Sequence, residues 1–258
     1  MLVNKGDEEM VKQLNPMVGK IYQSNNFGKF KVVEYNSSTS VVVEFLDTGY
    51  RTTAQKTSIL LGQVRDRLVP SLYGVGVIGD TPTKENGKFT KLYTAWKGML
   101  ERCYTEKSLA KCPTYLGCSV SDNFKNFTFF KEWAEKQVGS DKDGWNLDKD
   151  ILVRGNKIYS EDTCCFVPQE VNKIFTNMKN TNSGLVGVNK RPTGKYYATV
   201  KHSGKIHYLG SYATEVEALQ AYKQAKEKFV KDTAMEYKDI IDLRVYNALM
   251  NYQVEITN

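Results

Sequence analysis

The sequence lacks any apolar run long enough to cross a membrane. About 20 consecutive apolar residues are needed for a spanning helix, and no stretch of this chain approaches that length. Residues 1–19 carry scattered charges and no apolar segment of signal-peptide length. These absences exclude a membrane protein and predict a soluble, cytoplasmic protein with no membrane partner.

Cysteine is scarce and irregularly spaced. The five cysteines contain no CxxC pair, and their odd number argues against a disulfide framework. A structural zinc site of the usual spacing is therefore not expected. The alternative is an irregular metal site in which Cys112 and Cys118 combine with a third cysteine.

Composition and charge are those of an ordinary globular protein. Hydrophobic residues make up 41% and charged residues 25% of the chain, and 36 Lys+Arg against 29 Asp+Glu give a formal net charge of +7. This modest excess suits a nucleic-acid partner, but many soluble proteins carry a similar charge. The 16 tyrosines are equally typical of β-strands and of contact surfaces.

Short β-rich runs fill residues 17–66 and are separated by clusters of turn residues. The runs are 20–22, 30–35, 41–45 and 50–54. Strands of this length and spacing predict a small SH3-like β-barrel. Before it, residues 1–16 suggest a short polar helix or arm, and after it the glycine-punctuated segment 69–80 suggests an ordered linker.

The middle of the chain alternates between helical periodicity and short β segments. Apolar residues recur on one helical face in 91–105 and in 123–137, where the aromatic stripe is expected to form core. Two β segments, 147–152 and 163–167, then lead into a helix over 168–178. This order predicts a β-hairpin followed by a helix.

The last part of the chain predicts a three-stranded antiparallel sheet packed on a helix. Its strands are expected at 186–188, 196–202 and 206–212, with turns at Gly194 and Ser203–Gly204. Thr214 and Glu217 form a capping-box pattern at the start of a strong helix. A polar linker is expected at 179–184 and a final helix at 239–252. We therefore expect a multidomain α+β protein with domains 1–80, 81–178 and 179–258.

Alternation along 195–202 separates two chemical faces. Alternate strand residues share a face, so Tyr196, Ala198, Val200 and His202 lie together and can pack on the capped helix. The opposite set is polar, long and basic. It is expected to form a stripe, suited to DNA phosphates and base edges, with Arg191, Lys195, Lys201 and Lys205. The alternative is that this face is simply exposed to solvent and binds nothing.

The string GVNKRPTGKYYATVKHSGKIHYLGSYATEVEALQAY (187–222) resembles the plant APETALA/ethylene-response-factor DNA-binding domain, which also occurs in phage homing endonucleases. The resemblance implies that the sheet face binds double-stranded DNA, with Arg191 as the candidate for a guanine contact. The residues it points to are Arg191, Lys195, Tyr197, Thr199, Lys201, Lys205 and Tyr208. Tyr197 departs from the family's usual residue, so no base preference is carried over.

Residues 91–177 resemble a phage family labelled HNH endonuclease. The strings TAWKGMLERCY (94–104), CPTYLGCSV (112–120) and LDKDILVRGNKIYSEDTCCFVPQEVN (147–172) carry the resemblance. It implies a ββα fold that holds one Mg²⁺, with no zinc. Candidate catalytic residues are Asp148, Lys149, Asp150 and Asn172; Asp150 and Asn172 are the candidate metal ligands, and Arg102 and Lys157 are candidate DNA contacts.

The position of the usual histidine base is taken by Lys149, and the only two histidines, His202 and His207, lie in the last domain. Lysine is a poor base near neutral pH. A carboxylate or Tyr159 could serve instead, or the segment could be a structural relic.

Together these patterns predict a protein that binds double-stranded DNA at a preferred sequence in the cytoplasm of a host cell. One alternative is a Mg²⁺-dependent homing or nicking endonuclease. The other is a non-cleaving regulator such as a transcriptional repressor. A third, a structural phage protein, accounts for residues 1–80 but not for the C-terminal pattern. The oligomeric state stays open, a dimer included.

Overall fold

The computed structural model describes residues 15–175, 184–202 and 204–255. The expected N-terminal arm and the linker at 179–184 lie almost wholly outside these residues. The chain divides into two compact units, Met1–Asp80 and Thr81–Asn258. Both helices and several small sheets are present, so the protein is α+β. In the described part of the chain, no helix is both long and apolar enough to cross a membrane.

The first unit is a four-stranded antiparallel sheet that covers one helix. Its elements β1 to β4 and α1 are Ile21–Gln23, Lys29–Ser37, Ser40–Phe45, Arg51–Ala54 and Lys56–Leu60. Alternate residues of β2 and β3, among them Phe30 and Val43, are fully buried and pack on Ile59 of α1. Period-two burial of this kind is what makes these segments strands with one core face.

The expected closed barrel is wrong in this first unit. The strand order is β1-β2-β3-β4, and among residues 15–80 the two outer strands do not pair with each other. Instead, the chain after α1 returns to β1, where the Ser24 hydroxyl donates to the Val64 carbonyl oxygen at 2.7 Å and the Asn25 N–H donates to the Gly62 carbonyl oxygen at 2.9 Å. A helix and a loop therefore cover the position that a closing strand would take.

The second unit begins with a helical segment built around aromatic side chains. Its elements β5, β6, α2, α3, β7, α4 and α5 are Lys84–Glu85, Lys88–Phe89, Lys91–Tyr104, Glu106–Lys111, Ser119–Val120, Asp122–Lys125 and Phe127–Ala134. Trp96, Phe124, Phe127 and Phe130 are fully buried, which confirms the aromatic stripe as core. The Trp96 indole N–H donates to the Phe124 carbonyl oxygen at 2.7 Å, so its polar atom is satisfied.

The single helix expected over 123–137 is wrong, because Asn126 divides it into α4 and α5. Asn126 has extended backbone angles, and its side-chain oxygen accepts the backbone N–H groups of Thr128 and Phe129. An asparagine in this position caps a new helix instead of continuing the old one. The aromatic residues on both sides still reach the same core.

A short hairpin-like pair follows and leads into a helix, as predicted. Strands β8, β9 and β10 and helix α6 are Trp145–Asp148, Ile158–Tyr159, Cys165–Pro168 and Gln169–Ile174. Strand β8 pairs antiparallel with β10, while β9 pairs in parallel with β7. The first strand ends at Asp148, earlier than the predicted 152, because the Asp148 carboxylate folds back to accept the backbone N–H groups of Asp150 and Ile151.

The chain ends in a three-stranded sheet and two helices. Strands β11, β12 and β13 and helices α7 and α8 are Val188–Lys190, Tyr196–His202, Lys205–Tyr212, Glu215–Glu236 and Leu243–Met250. The final helix is shorter than predicted because Asp242 caps it: its side chain accepts the Arg244 N–H at 2.7 Å.

Helix α7 belongs to two cores at once. Its first half packs Ala218 and Tyr222 on the three-stranded sheet. Its second half packs Val230 and Ala234 against α8, β10 and α6. The sheet is therefore anchored by one continuous helix to the β8–β10 segment, and both lie in the same compact unit.

Candidate nucleic-acid interface

The inner face of the three-stranded sheet packs on α7, as the alternation predicted. Ala198 and Val200 of β12 are buried together with Ala218 and Tyr222 of the helix. Thr214 accepts the Glu217 N–H with its side chain, and the Glu217 carboxylate accepts the Thr214 N–H, so the capping box is confirmed. The opposite face of β12 and β13 is thereby turned away from the helix.

Gly187 allows the start of β11 to lie close to the helix. Its φ is +75°, and an added Cβ would lie 2.2 Å from the Tyr222 ring and 2.8 Å from the Thr199 carbonyl oxygen. The Thr199 N–H donates to the Gly187 carbonyl oxygen at 2.8 Å. Only glycine accepts both this backbone conformation and this contact.

The outer face presents an arginine held by two tyrosines. The Arg191 guanidinium lies 4.9 Å from the centre of the Tyr197 ring, and the rings of Tyr197 and Tyr208 are 6.2 Å apart. Arg191 also donates from Nη2 to the Tyr208 hydroxyl at 3.5 Å, and this hydroxyl shares a 2.8 Å hydrogen bond with Ser211. The bonds from Ser211 and Arg191 lower the pKa of Tyr208. These contacts orient the guanidinium before any ligand arrives.

The register of β12 and β13 decides which neighbours share the outer face. Thr199 pairs with Tyr208, Lys201 with Ile206, and His202 with Lys205 in one unbroken register, which shifts only beyond Tyr208, at a bulge between Ala198 and Thr199. Directly opposed residues of an antiparallel pair lie on the same face. Tyr208 and Ile206 therefore lie on the outer face beside Thr199 and Lys201.

Two of the predicted contact residues are placed differently from the expected stripe. Lys205 lies opposite His202, on the α7 side of the sheet, because the hairpin turns over only two positions. Thr199 is on the outer face but only 9% exposed, directly opposite Tyr208. Lys195 and Lys201 are exposed, as expected.

Two signals on this surface were not used in the sequence prediction. Ile206 is an apolar residue on a basic face and is 65% exposed. Residues 171–214 contain seven Lys+Arg and no Asp or Glu, which leaves 29 Lys+Arg against 29 Asp+Glu in the rest of the chain. The net charge of +7 therefore equals the charge of this one stretch, which includes all three strands of the sheet. Counting charges along the sequence in short segments would have revealed it.

The two histidines sit behind the sheet, away from its outer face. The His202 ring stacks on Phe229 of α7 with centroids 4.4 Å apart, and His207 lies 5.2 Å from the same ring. Burial, and then the neighbouring His207, lower the pKa of His202. The two rings complete the contact between the hairpin and the helix.

The central candidate site is organised around a buried ammonium group. Lys149 is 7% exposed and donates to Asp150 Oδ2 at 3.0 Å and to the Asn156 carbonyl oxygen at 2.9 Å. Burial opposes its charge, but the hydrogen bond to Asp150 and the negative charges around it together outweigh this and raise the pKa of Lys149. Because it stays protonated, this side chain is unsuited to act as a general base.

The Asp148 carboxyl group has a pKa raised toward neutrality. Burial and the nearby Asp150 carboxylate raise its pKa to about 6. Its Oδ1 accepts the Asp150 and Ile151 N–H groups at 2.8 Å each, so it stabilises the turn after β8.

The other two predicted contacts of this segment are occupied within the protein. Arg102 donates to the Tyr159 hydroxyl at 3.2 Å and lies over the Tyr115 and Tyr159 rings at 5.7 and 5.6 Å. Lys157 donates to the Thr114 carbonyl oxygen at 2.8 Å. Both side chains serve to hold the loop around Tyr115 against β9.

The carboxylates expected to hold Mg²⁺ already make contacts within their own loop. Asp150 Oδ2 is paired with Lys149, and Asp148 Oδ1 accepts two backbone N–H groups, so one oxygen of each carboxylate is used there. Mg²⁺ binds six oxygen ligands, and several of these are usually waters. Among the residues that the structure describes, no group of three or more His, Cys, Asp or Glu side chains could hold a metal ion.

Comparison with known proteins gives one partial match. The chain is 38% identical over 76 residues to the ethylene-responsive transcription factor ERF117 of Arabidopsis thaliana, an alignment that covers 28% of this chain and 23% of that protein. No family model matches the chain, and no solved structure matches it. The chain is thus similar, over a minority of its length, to a transcription factor of the ethylene-responsive type.

Proposed function

We propose that this protein binds double-stranded DNA at a preferred sequence through the outer face of β12 and β13. The observation that carries the proposal is the orientation of Arg191 by Tyr197 and Tyr208 on an exposed sheet face whose sequence neighbourhood contains no acid. A guanidinium held in a fixed direction suits a bidentate contact to guanine O6 and N7.

The shape of the surface supports duplex DNA as the partner. A β-ribbon fits the major groove of B-DNA, and β12 and β13 form such a ribbon with its reverse side covered by α7. The similarity to a transcription factor supports the same partner. We assign that similarity to the sheet and its helix, because the string at 187–222 carries the resemblance.

The side chains divide into two roles. Arg191 contacts a base, whereas Lys195 and Lys201 neutralise phosphates and set affinity without sequence preference. Lys205 is exposed at the start of β13 but lies on the α7 side of the sheet, so no groove contact is assigned to it. Arg102 and Lys157 lie outside β12 and β13, and each donates a hydrogen bond within the protein, so the proposed interface does not include them.

The test is a selection from a random duplex pool with the full chain, followed by affinity measurements on selected and scrambled duplexes. Lys195→Glu/Lys201→Glu should weaken binding to both duplexes strongly, because it reverses two charges on the outer face. The matched control is Lys231→Glu/Lys238→Glu, which changes the net charge equally at exposed positions in and just after α7. Equal losses in both double variants would contradict the assignment of the face.

The biological role that fits best is regulation without cleavage. Lys149, at the position that the resemblance gives to the general base, is buried, has a raised pKa and is paired with Asp150. A site-specific DNA-binding protein without nuclease activity would act as a regulator, for example as a repressor.

DNA cleavage is the second candidate function. The order β8, β10 and α6, with Asp148 and Asp150 directly at the end of β8, favours it. The selected duplex is incubated with the protein and Mg²⁺ or Mn²⁺, alongside Asp150→Ala and the exposed control Asp122→Ala. Cleavage that Asp150→Ala alone abolishes, with binding intact, would replace the regulator by a nuclease; no cleavage in any sample supports the regulator.

A further inference from the structure

Ile206 is an exposed aliphatic side chain on the basic outer face. It is 65% exposed and lies in β13, directly opposite Lys201 of β12. A single exposed apolar residue is ordinary on a protein surface. Its position is the informative feature, because Tyr208, the hydrogen-bond partner of Arg191, lies two residues away on the same strand face.

The register at the hairpin end of β12 and β13 sets this arrangement. Tyr208 and Ile206 face outward because they pair with Thr199 and Lys201, whereas Leu209, between the paired residues Tyr208 and Gly210, has no partner in the ladder and packs toward the helix. Residues two apart in a strand are separated by about 6.8 Å, which matches about two base-pair steps of B-DNA at about 3.4 Å each. Ile206 and Tyr208 therefore suit different base pairs on one groove floor.

We propose that Ile206 contacts the C5-methyl group of a pyrimidine in the major groove. The inference rests on the proposed DNA-binding function. The C5-methyl group of thymine is the apolar feature that the major groove of unmodified DNA offers to an aliphatic side chain. Thymine and 5-methylcytosine both carry a methyl group at this position, so this one contact suits either base.

The experiment removes the methyl group from the DNA rather than a charge from the protein. Each thymine of the selected duplex is replaced in turn by deoxyuridine, and binding of the wild-type chain and of Ile206→Ala is measured. At one thymine, the wild-type chain should lose about fourfold in affinity, as about 0.8 kcal/mol per buried methyl-sized group implies. Ile206→Ala should show no such difference.

The arms of the experiment distinguish the two sources of the methyl group. At the sensitive position, thymine is compared with uracil, and 5-methylcytosine is compared with cytosine opposite guanine. If thymine raises the affinity over uracil more than 5-methylcytosine raises it over cytosine, the natural site is unmodified. If 5-methylcytosine gives the larger rise in affinity, the natural site is methylated. Ile206→Val should retain most of the gain, and Ile21→Ala, an exposed strand isoleucine of the first unit, should leave it unchanged.

Two results would overturn the inference. One is a wild-type chain that is indifferent to every deoxyuridine while Arg191→Ala still weakens specific binding; this leaves the proposed function intact. The other is an equal sensitivity of the wild type and Ile206→Ala, which assigns the methyl contact to another residue. Absence of any preferred duplex in the selection would instead overturn the proposed function itself.

Discussion

Replacing Arg191 probes the proposed base contact, because its guanidinium is oriented by two observed contacts, one with each of two tyrosines. A bidentate arginine–guanine pair contributes about 1–3 kcal/mol of discrimination, which is about 5- to 150-fold in affinity. Arg191→Ala should therefore lose that factor on the selected duplex. On a scrambled duplex, the affinity of Arg191→Ala should fall only by the small amount expected from removing one positive charge.

Arg191→Lys separates the charge from the geometry. Lysine keeps the positive charge but lacks the planar fork and the stacking on Tyr197. It should bind the selected duplex almost as weakly as the alanine variant, while the slope of log affinity against log salt stays as in the wild type. By contrast, Lys195→Ala should lower that slope by about 0.9, as expected for one phosphate contact.

The assay is fluorescence anisotropy with labelled duplexes at several salt concentrations. Tyr208→Phe is the graded control: it keeps the ring but removes the hydroxyl that accepts the arginine N–H, so its loss on the selected duplex should be smaller than that of Arg191→Ala. The reasoning is refuted if Arg191→Ala weakens both duplexes by the same factor, or if Arg191→Lys binds the selected duplex like the wild type.

Three further outcomes follow from the packing around the sheet. Gly187→Ala should lower the free energy of unfolding by about 2 kcal/mol or more, measured in urea, because its Cβ would overlap the Tyr222 ring at a positive φ. The lowered pKa of His202 means that the folded chain favours the neutral ring, so stability should be full above about pH 7 and fall as the pH drops below the unfolded value of about 6.5; His202→Gln should weaken this dependence. A thiol reagent should modify exposed Cys112 in the native protein but reach Cys164, whose pKa burial raises to about 12, only after unfolding.

Sequence patterns predicted the three-stranded sheet and helix α7 well, because neighbouring residues determine the strand faces and the start of the helix. The alternation in 196–202 correctly placed Ala198 and Val200 on the helix side and Lys201 on the outer face, and the Thr214–Glu217 box marks a helix start without help from tertiary structure. The aromatic stripe of the middle segment was equally visible, since helical spacing places Trp96 and its neighbours together.

The errors come from features that depend on distant contacts or on one side chain. Asn126 divides a continuous helical pattern because its own side chain caps the second helix. The open edge of the first sheet depends on where residues 62–64 return, which no periodicity encodes. The faces of Lys205, Ile206 and Tyr208 could have been deduced from the pairing of His202 with Lys205, whereas the position of Ser211 opposite Tyr197 depends on the bulge.

For the candidate residues after β8, the residue types alone do not determine where the side chains point. The sequence places Asp148, Lys149 and Asp150 side by side, but not the direction of each side chain. In the structure the lysine points into the protein and binds Asp150, and the first carboxylate caps a turn. All three residues therefore take part in hydrogen bonds within one loop.

The most direct measurement of the central claim is a lysine acetylation footprint of the full chain with and without the selected duplex, quantified by mass spectrometry. DNA bound to the outer face of β12 and β13 should protect Lys195 and Lys201 from the reagent, while exposed Lys231 and Lys238 react as in the free protein. Unchanged reactivity of Lys195 and Lys201 in the complex, or protection of Lys231 and Lys238 instead, would contradict the account.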